Sequence, residues 1–272
     1  MISDADRAYL PPGVSLREAG LLDAVRGEIW PLNETGRFVL ERTGRRTLAE
    51  LAQALDDRFG VGEESARADV RAFAHDLNAR LLLNVAPRWG GGAIAWRWLT
   101  LAIRLLPTGT LPALPSRRRH VDSTSAYAAF RTVARGLAGH ALVAALLAIC
   151  AIVLLLSGFG APVTSVPLVL GASLALSLVL HEAGHAIALR DIPCCLGVAG
   201  PRAFVLHPPL PPQRRAVVAA AGPAAVLAAG WLAFIPALAL TWESVAFGAA
   251  FLTAQGLGLT VAAQDGRTIC SL

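Results

Sequence analysis

Apolar and polar positions divide this chain into two regimes. Over about residues 1–95 the apolar residues are interleaved with charged ones, as in a soluble domain. Over about residues 137–264 they run together in stretches long enough for a bilayer. In the first regime, Gly27-Glu28-Ile29-Trp30-Pro31-Leu32 reads as a strand after a polar, proline-containing lead-in at residues 1–15. Asn33 is placed to cap a helix over about Glu34 to Arg42, with Phe38 and Leu40 turned inward and Gly44 beyond its end. Thr47 and Glu50 form a capping box for a second helix, whose apolar stripe is Leu48, Leu51 and Leu55. Phe59-Gly60-Val61 breaks it. A third helix is predicted over about Glu63 to Leu81, with Val70, Phe73, Leu77 and Leu81 at helical spacing.

The second regime predicts four spans, at about Leu137–Phe159, Val166–Arg190, Ala216–Leu240 and Val245–Ala263. Between the regimes lies a linker, residues 87–136. It holds Gly90-Gly91-Gly92 and the short apolar run Trp96 to Leu106, which suits a helix lying at a membrane interface. It also holds Arg117-Arg118-Arg119, which reads as a basic stop at the membrane surface. The expected fold is mostly α: a winged-helix-like α+β domain over 1–86, the linker, and a polytopic helical membrane domain of about four spans over 137–272. Arg131 and Arg135 precede the first span, and Arg190, Arg202, Arg214 and Arg215 lie between the second and third. The positive-inside rule then puts the N-terminal domain and the loop 191–214 on the cytoplasmic side of a cell membrane.

Composition changes this picture little. Of 272 residues 55% are hydrophobic, which is above the usual share for a soluble domain. The net charge of +5 comes from scattered arginines, several of them flanking spans, so no nucleic-acid partner is inferred. Cys150 lies in an apolar run and reads as a small core residue, and Cys194 and Cys195 are adjacent. No cysteine spacing suggests a disulfide framework or a thiolate metal site.

The candidate chemistry is His181-Glu182-Ala183-Gly184-His185, at the end of the apolar run Pro167 to Leu180. Histidines four apart share a helix face and can reach one Zn²⁺, and the glutamate beside the first can act as general base on the attacking water. Ionisable groups at such a place in a span are costly and point to function. A third ligand is needed. Asp265 is the leading candidate, because the fourth span delivers it to the same face as His181 and His185. Asp191 and His207 are weaker alternatives, and Glu243 falls on the opposite side.

Two family resemblances follow from these residues. Trp30 to Gly36, Gly44 to Leu51, and Ala68 to Phe73 with Leu77 and Leu81 resemble the PqqD-like precursor-recognition domain of ribosomal peptide biosynthesis, over about residues 14–85. That resemblance implies capture of a leader peptide as an added strand beside Gly27–Leu32 and against the third helix, with Ile29, Trp30, Leu32 and Arg71 as contact residues. Pro31 departs from a regular edge. The His181–His185 motif, Ala220-Ala221-Gly222-Pro223-Ala224 and Asp265-Gly266 resemble the site-2 protease family of intramembrane zinc metalloproteases, over about residues 137–268. Val226, Leu257 and Thr260 stand where that family often has Asn, Asn and Pro.

Together these imply a zinc metallopeptidase that binds a precursor peptide and cleaves it in the bilayer, with His181, His185 and Asp265 as ligands and Glu182 as base. Two rivals are a regulatory protease acting on a membrane-bound protein and a non-catalytic membrane protein that presents a precursor. The oligomeric state is left open.

Overall fold

The computed structural model describes residues 2–44, 46–86, 116–159, 165–199, 202–240 and 242–262. The chain is mostly helical and forms two compact units. The first is Met1–His120 with Cys195–Pro208; the second is Val121–Cys194 with Pro209–Leu272.

The first unit is a small α+β assembly. Strands β2 (Val14–Arg17), β3 (Gly20–Asp23) and β4 (Glu28–Trp30) form an antiparallel meander in the order β2-β3-β4. Three helices follow: α1 (Glu34–Glu41), α2 (Leu48–Phe59) and α3 (Glu63–Ala79). The expected caps are present. Asn33 accepts from the Gly36 N–H, and Thr47 and Glu50 satisfy each other's backbone donors at the start of α2. The side chains of Leu21, Leu48, Leu51, Leu55 and Val70 form the core, each less than 5% exposed.

The lead-in at residues 1–15 departs from expectation. It contributes β1 (Arg7–Tyr9), paired antiparallel with β5 (Asn84–Ala86), and the first residues of β2. Ala8 is fully buried between polar neighbours. A three-residue strand carries too little alternation to be recognised without its partner.

The loop between the second and third predicted spans also folds. Strands β7 (Cys194–Ala199) and β8 (Arg202–Leu206) pair antiparallel and join β6 (Arg117–Val121) in the order β6-β7-β8. Arg118 is thus an interior residue of a strand, where the arginine run had suggested a basic stop at the membrane surface. Its side chain is fully buried and makes a bidentate contact with Asp23, at 2.7 and 2.8 Å. Two asparagines receive the same segment. Asn78 exchanges hydrogen bonds with the backbone of Ser116, and Asn84 with that of Arg118, all at 2.7–2.8 Å. These side chains stand in for a β-ladder and satisfy backbone groups that would otherwise be buried without partners. Burial pushes the Asp23 carboxyl up. The Arg118 hydrogen bonds and charge, helped by the Arg26 and Val25 N–H groups, outweigh burial and hold it below the usual aspartate range. Burial also raises the Cys195 thiol, against a hydrogen bond from Arg118.

The second unit consists of α4 (Ala126–Gly158), α5 (Val166–Ala188), α6 (Pro212–Ala239) and α7 (Glu243–Ala262). Among the described residues three helices, α4, α5 and α6, are long and apolar enough to cross a membrane; the apolar part of α7 is Val245–Gly256. Helix α4 begins eleven residues before the predicted first span, capped by Ser125. Cys150 is exposed on α4, not in the core, as fits a small apolar residue facing lipid. Small residues set the helix contacts. The missing side chain of Gly171 admits Ile149, and that of Gly230 admits Thr253. The Trp96–Leu106 stretch, Gly90–Gly92, Asp265 and Gly266 lie outside the described residues.

Candidate metal centre

Helix α5 carries His181, Glu182 and His185 on its last two turns. Glu182 and His185 are buried, at 6% and 7% exposure, and His181 is half-buried. The i, i+4 spacing does what the sequence pattern requires: the two Nε2 atoms stand 3.2 Å apart, with the rings edge to face. Two imidazole nitrogens bound tetrahedrally to Zn²⁺ at about 2.0–2.1 Å are separated by roughly 3.3 Å. The pair therefore has the spacing of two ligands of one ion.

Helix α6 completes the support. His185 Nδ1 lies 2.6 Å from the Val218 carbonyl oxygen. A carbonyl only accepts, so Nδ1 carries the hydrogen, which in the neutral tautomer leaves the Nε2 lone pair facing His181. One turn further along α6, Gly222 sits directly on the ring. A Cβ there would fall 2.5 Å from His185 Nε2 and 2.9 Å from the His181 carbonyl oxygen. Gly184 is equally tight, since a Cβ on it would collide with the Ala221 carbonyl. The two glycines allow the backbones of α5 and α6 to meet at the histidines. The motif Ala220–Ala224 is thereby brought against His181–His185, and Val226 is fully buried on the same helix. Gly222→Ala should displace the His185 ring. The expected result is zinc affinity at least tenfold weaker than wild type, read by competition with a chelating dye.

Among the described residues no group of three or more His, Cys, Asp and Glu side chains is gathered to hold an ion. Asp191 follows α5 with a positive φ of 66°, is exposed, and stands 3.8 Å from Arg190. His207 belongs to the first unit and its Nδ1 contacts the Pro208 carbonyl at 2.7 Å. Glu243 opens α7 at its far end. Five residues later Gly248 packs on Val169 and Ser173, at the start of α5, away from the histidines.

In the first unit the predicted peptide contacts separate into two kinds. Among the described residues β4 pairs with β3 alone, so its outer edge is open, and Ile29 on it is 55% exposed. Trp30 and Leu32 pack against the core. The Arg80 guanidinium lies 4.8 Å over the Trp30 ring, and among the described residues the buried Trp30 indole N–H has no acceptor. Arg71 is engaged by Asp4 at 2.8 Å. Gly36 meets the Phe73 ring, which joins α1 to α3 behind the edge.

The sequence reading passed over Asp23, Asn78, Asn84 and the Val218 carbonyl. Arg118 was hidden in a run of three arginines whose middle member alone points inward.

Residues 18–83 match the family described as Coenzyme PQQ synthesis protein D (PqqD). No curated protein and no solved structure matches the chain.

Proposed function

We propose that this protein is an intramembrane zinc metallopeptidase that captures a ribosomally made precursor peptide on its N-terminal domain and cleaves it during maturation of a peptide natural product. The observation that carries the proposal is the 3.2 Å separation of the two Nε2 atoms, with His185 held by the Val218 carbonyl beside buried Glu182 in an apolar helix.

In this reading His181 and His185 hold the ion, and Asp265 completes the ligand set. Helix α7 runs parallel to α5 and antiparallel to α6, since Gly248 meets Val169 and Ser173 while Thr253 meets Gly230 and Gly256 meets Leu227. It therefore travels toward the end of α5 that bears the histidines, and as a fourth span would bring Asp265 to their level. Zinc, when bound, supplies Lewis acidity that polarises the scissile carbonyl and makes water acidic enough to lose a proton near neutral pH. Glu182 accepts that proton from the attacking water and returns it to the leaving amine nitrogen. Val218 and Gly222 keep the His185 ring in place while this happens.

Peptide capture rests on the PqqD match and the open edge of β4. An extended leader pairs with the β4 backbone and covers Ile29, which is β-strand addition. Holding the leader on the same chain as the histidines raises the local concentration of the cleavage sequence. The arginines between α5 and α6 support a cytoplasmic side for the loop that joins them.

The test is a cleavage assay on the cognate precursor. Wild type should cut it, and Ile29→Asp should raise KM by about tenfold with unchanged zinc content, because Ile29 is exposed and its loss costs the fold little. Equal KM in the two proteins would remove the leader-capture half of the proposal. Zinc-replete wild type that cuts no precursor would remove the peptidase half.

A further inference from the structure

We infer that Gln255 is a substrate-positioning residue that grips the backbone of the peptide beside its scissile bond. The inference rests on the metallopeptidase reading and goes beyond it, since it assigns a peptide-binding group inside the helix bundle.

On α7, residues 248, 252 and 255 share one face by the i, i+4, i+7 rule. That face is turned toward α5: a Cβ on Gly248 would collide with Val169 Cγ1 and lie 2.9 Å from Ser173 Oγ, and Leu252 is 4% exposed. The two helices run parallel. Seven residues of helix advance about 10.5 Å, so the step from Gly248 to Gln255 carries the contact from Val169 and Ser173 to Leu176 and Leu180. Gln255 thus stands between the heights of Leu176 and Leu180, about one turn before His181, on the side of α7 that faces α5. The residues at 249, 253 and 256 point instead toward α6, where Thr253 meets Gly230 and Gly256 meets Leu227.

At this place the Gln255 side-chain oxygen is buried, and among the described residues no hydrogen-bond donor reaches it. An amide oxygen without a donor in an apolar bundle is costly, and a leucine or methionine would serve packing better. An amide has one property that those side chains lack. Its oxygen accepts and its NH₂ donates, which matches the N–H and C=O of an extended peptide backbone. The occupant that satisfies it is the backbone of a peptide lying along α7 next to the histidines. Because the contact is to backbone, it is indifferent to the side chains at the cleavage site.

The test uses full-length zinc-loaded protein in detergent and two probes. Acetohydroxamate offers only the zinc-binding group. A peptidyl hydroxamate offers the same group with two backbone amides. Wild type, Gln255→Met and Gln255→Asn are titrated with each by calorimetry. All three should bind acetohydroxamate equally. Gln255→Met should bind the peptidyl hydroxamate at least tenfold more weakly than wild type, and Gln255→Asn should fall between. Gln255→Met should also melt no lower than wild type, because removing an unsatisfied buried acceptor does not destabilise; a purely structural amide would lower the melting point. Equal peptidyl hydroxamate affinity in wild type and Gln255→Met overturns the inference, leaving an amide satisfied by water only. Failure of acetohydroxamate to bind wild type overturns the metal reading, and the inference with it.

Discussion

Glu182→Gln is expected to keep about one zinc per chain and to lower precursor cleavage by roughly 10²–10⁴-fold. Glutamine has nearly the volume of glutamate, so the buried site at residue 182 keeps its packing, and both histidines keep their geometry. What is lost is the carboxylate beside the histidine pair that takes a proton from water and gives it to the leaving amine. His185→Ala and Asp265→Ala should behave differently, by losing the metal. Elemental analysis of the purified variants beside a cleavage assay separates the two effects. Cleavage retained in Glu182→Gln would remove Glu182 as the base. Zinc retained in His185→Ala would remove the histidine pair as the metal site.

The second large effect concerns the fold of the first unit. Asp23→Ala should destabilise it by about 3–5 kcal/mol, because it leaves the fully buried Arg118 guanidinium without its anion. Replacing both members, as in Asp23→Leu with Arg118→Met, should recover most of that loss, since two buried charges cost nearly as much to desolvate as they return. Hydrogen exchange of the Leu48–Phe59 and Glu63–Ala79 helices in urea, read by mass spectrometry, follows all three proteins. A single variant as stable as wild type would show that the pair is not buried in solution.

The pair also sets a pH dependence. The Asp23 carboxyl is held below its unfolded value, so its contribution is fully present above the usual aspartate pKa of about 3.9. It is lost as pH falls through the lower folded value. Arg118 is raised above a value that is already beyond the working range, so alkali leaves the pair intact. Removing residues 1–86 would strip Arg118 of Asp23 and its strand of Asn78 and Asn84. Point substitution at Ile29 is therefore the cleaner probe of leader capture.

Local signals in the sequence were sufficient for the three helices of the first unit and the caps of the first two, because a cap is a contact between residues three apart. The long apolar runs were sufficient for three of the four expected spans, because the cost of exposing polar backbone to lipid leaves few alternatives. The histidine pair was legible for the same reason: the four-residue spacing of a helix alone brings two imidazoles together.

Other features depended on contacts between residues distant in sequence. The strands at residues 7–9, 84–86, 117–121 and 194–199 are short, and each has a partner far along the chain. Arg118 looks like its two arginine neighbours until Asp23, 95 residues away, is seen to receive it. The Val218 carbonyl belongs to the backbone, so no side-chain pattern announces it. Gln255 is one polar residue in an apolar run, and only the parallel packing of α7 on α5 gives its height relative to His181. Sequence alone determined which segments are helices and singled out the residues proposed for chemistry. Tertiary structure decided which of those residues meet, because meeting depends on backbone approach, helix direction and burial, and none of these is local.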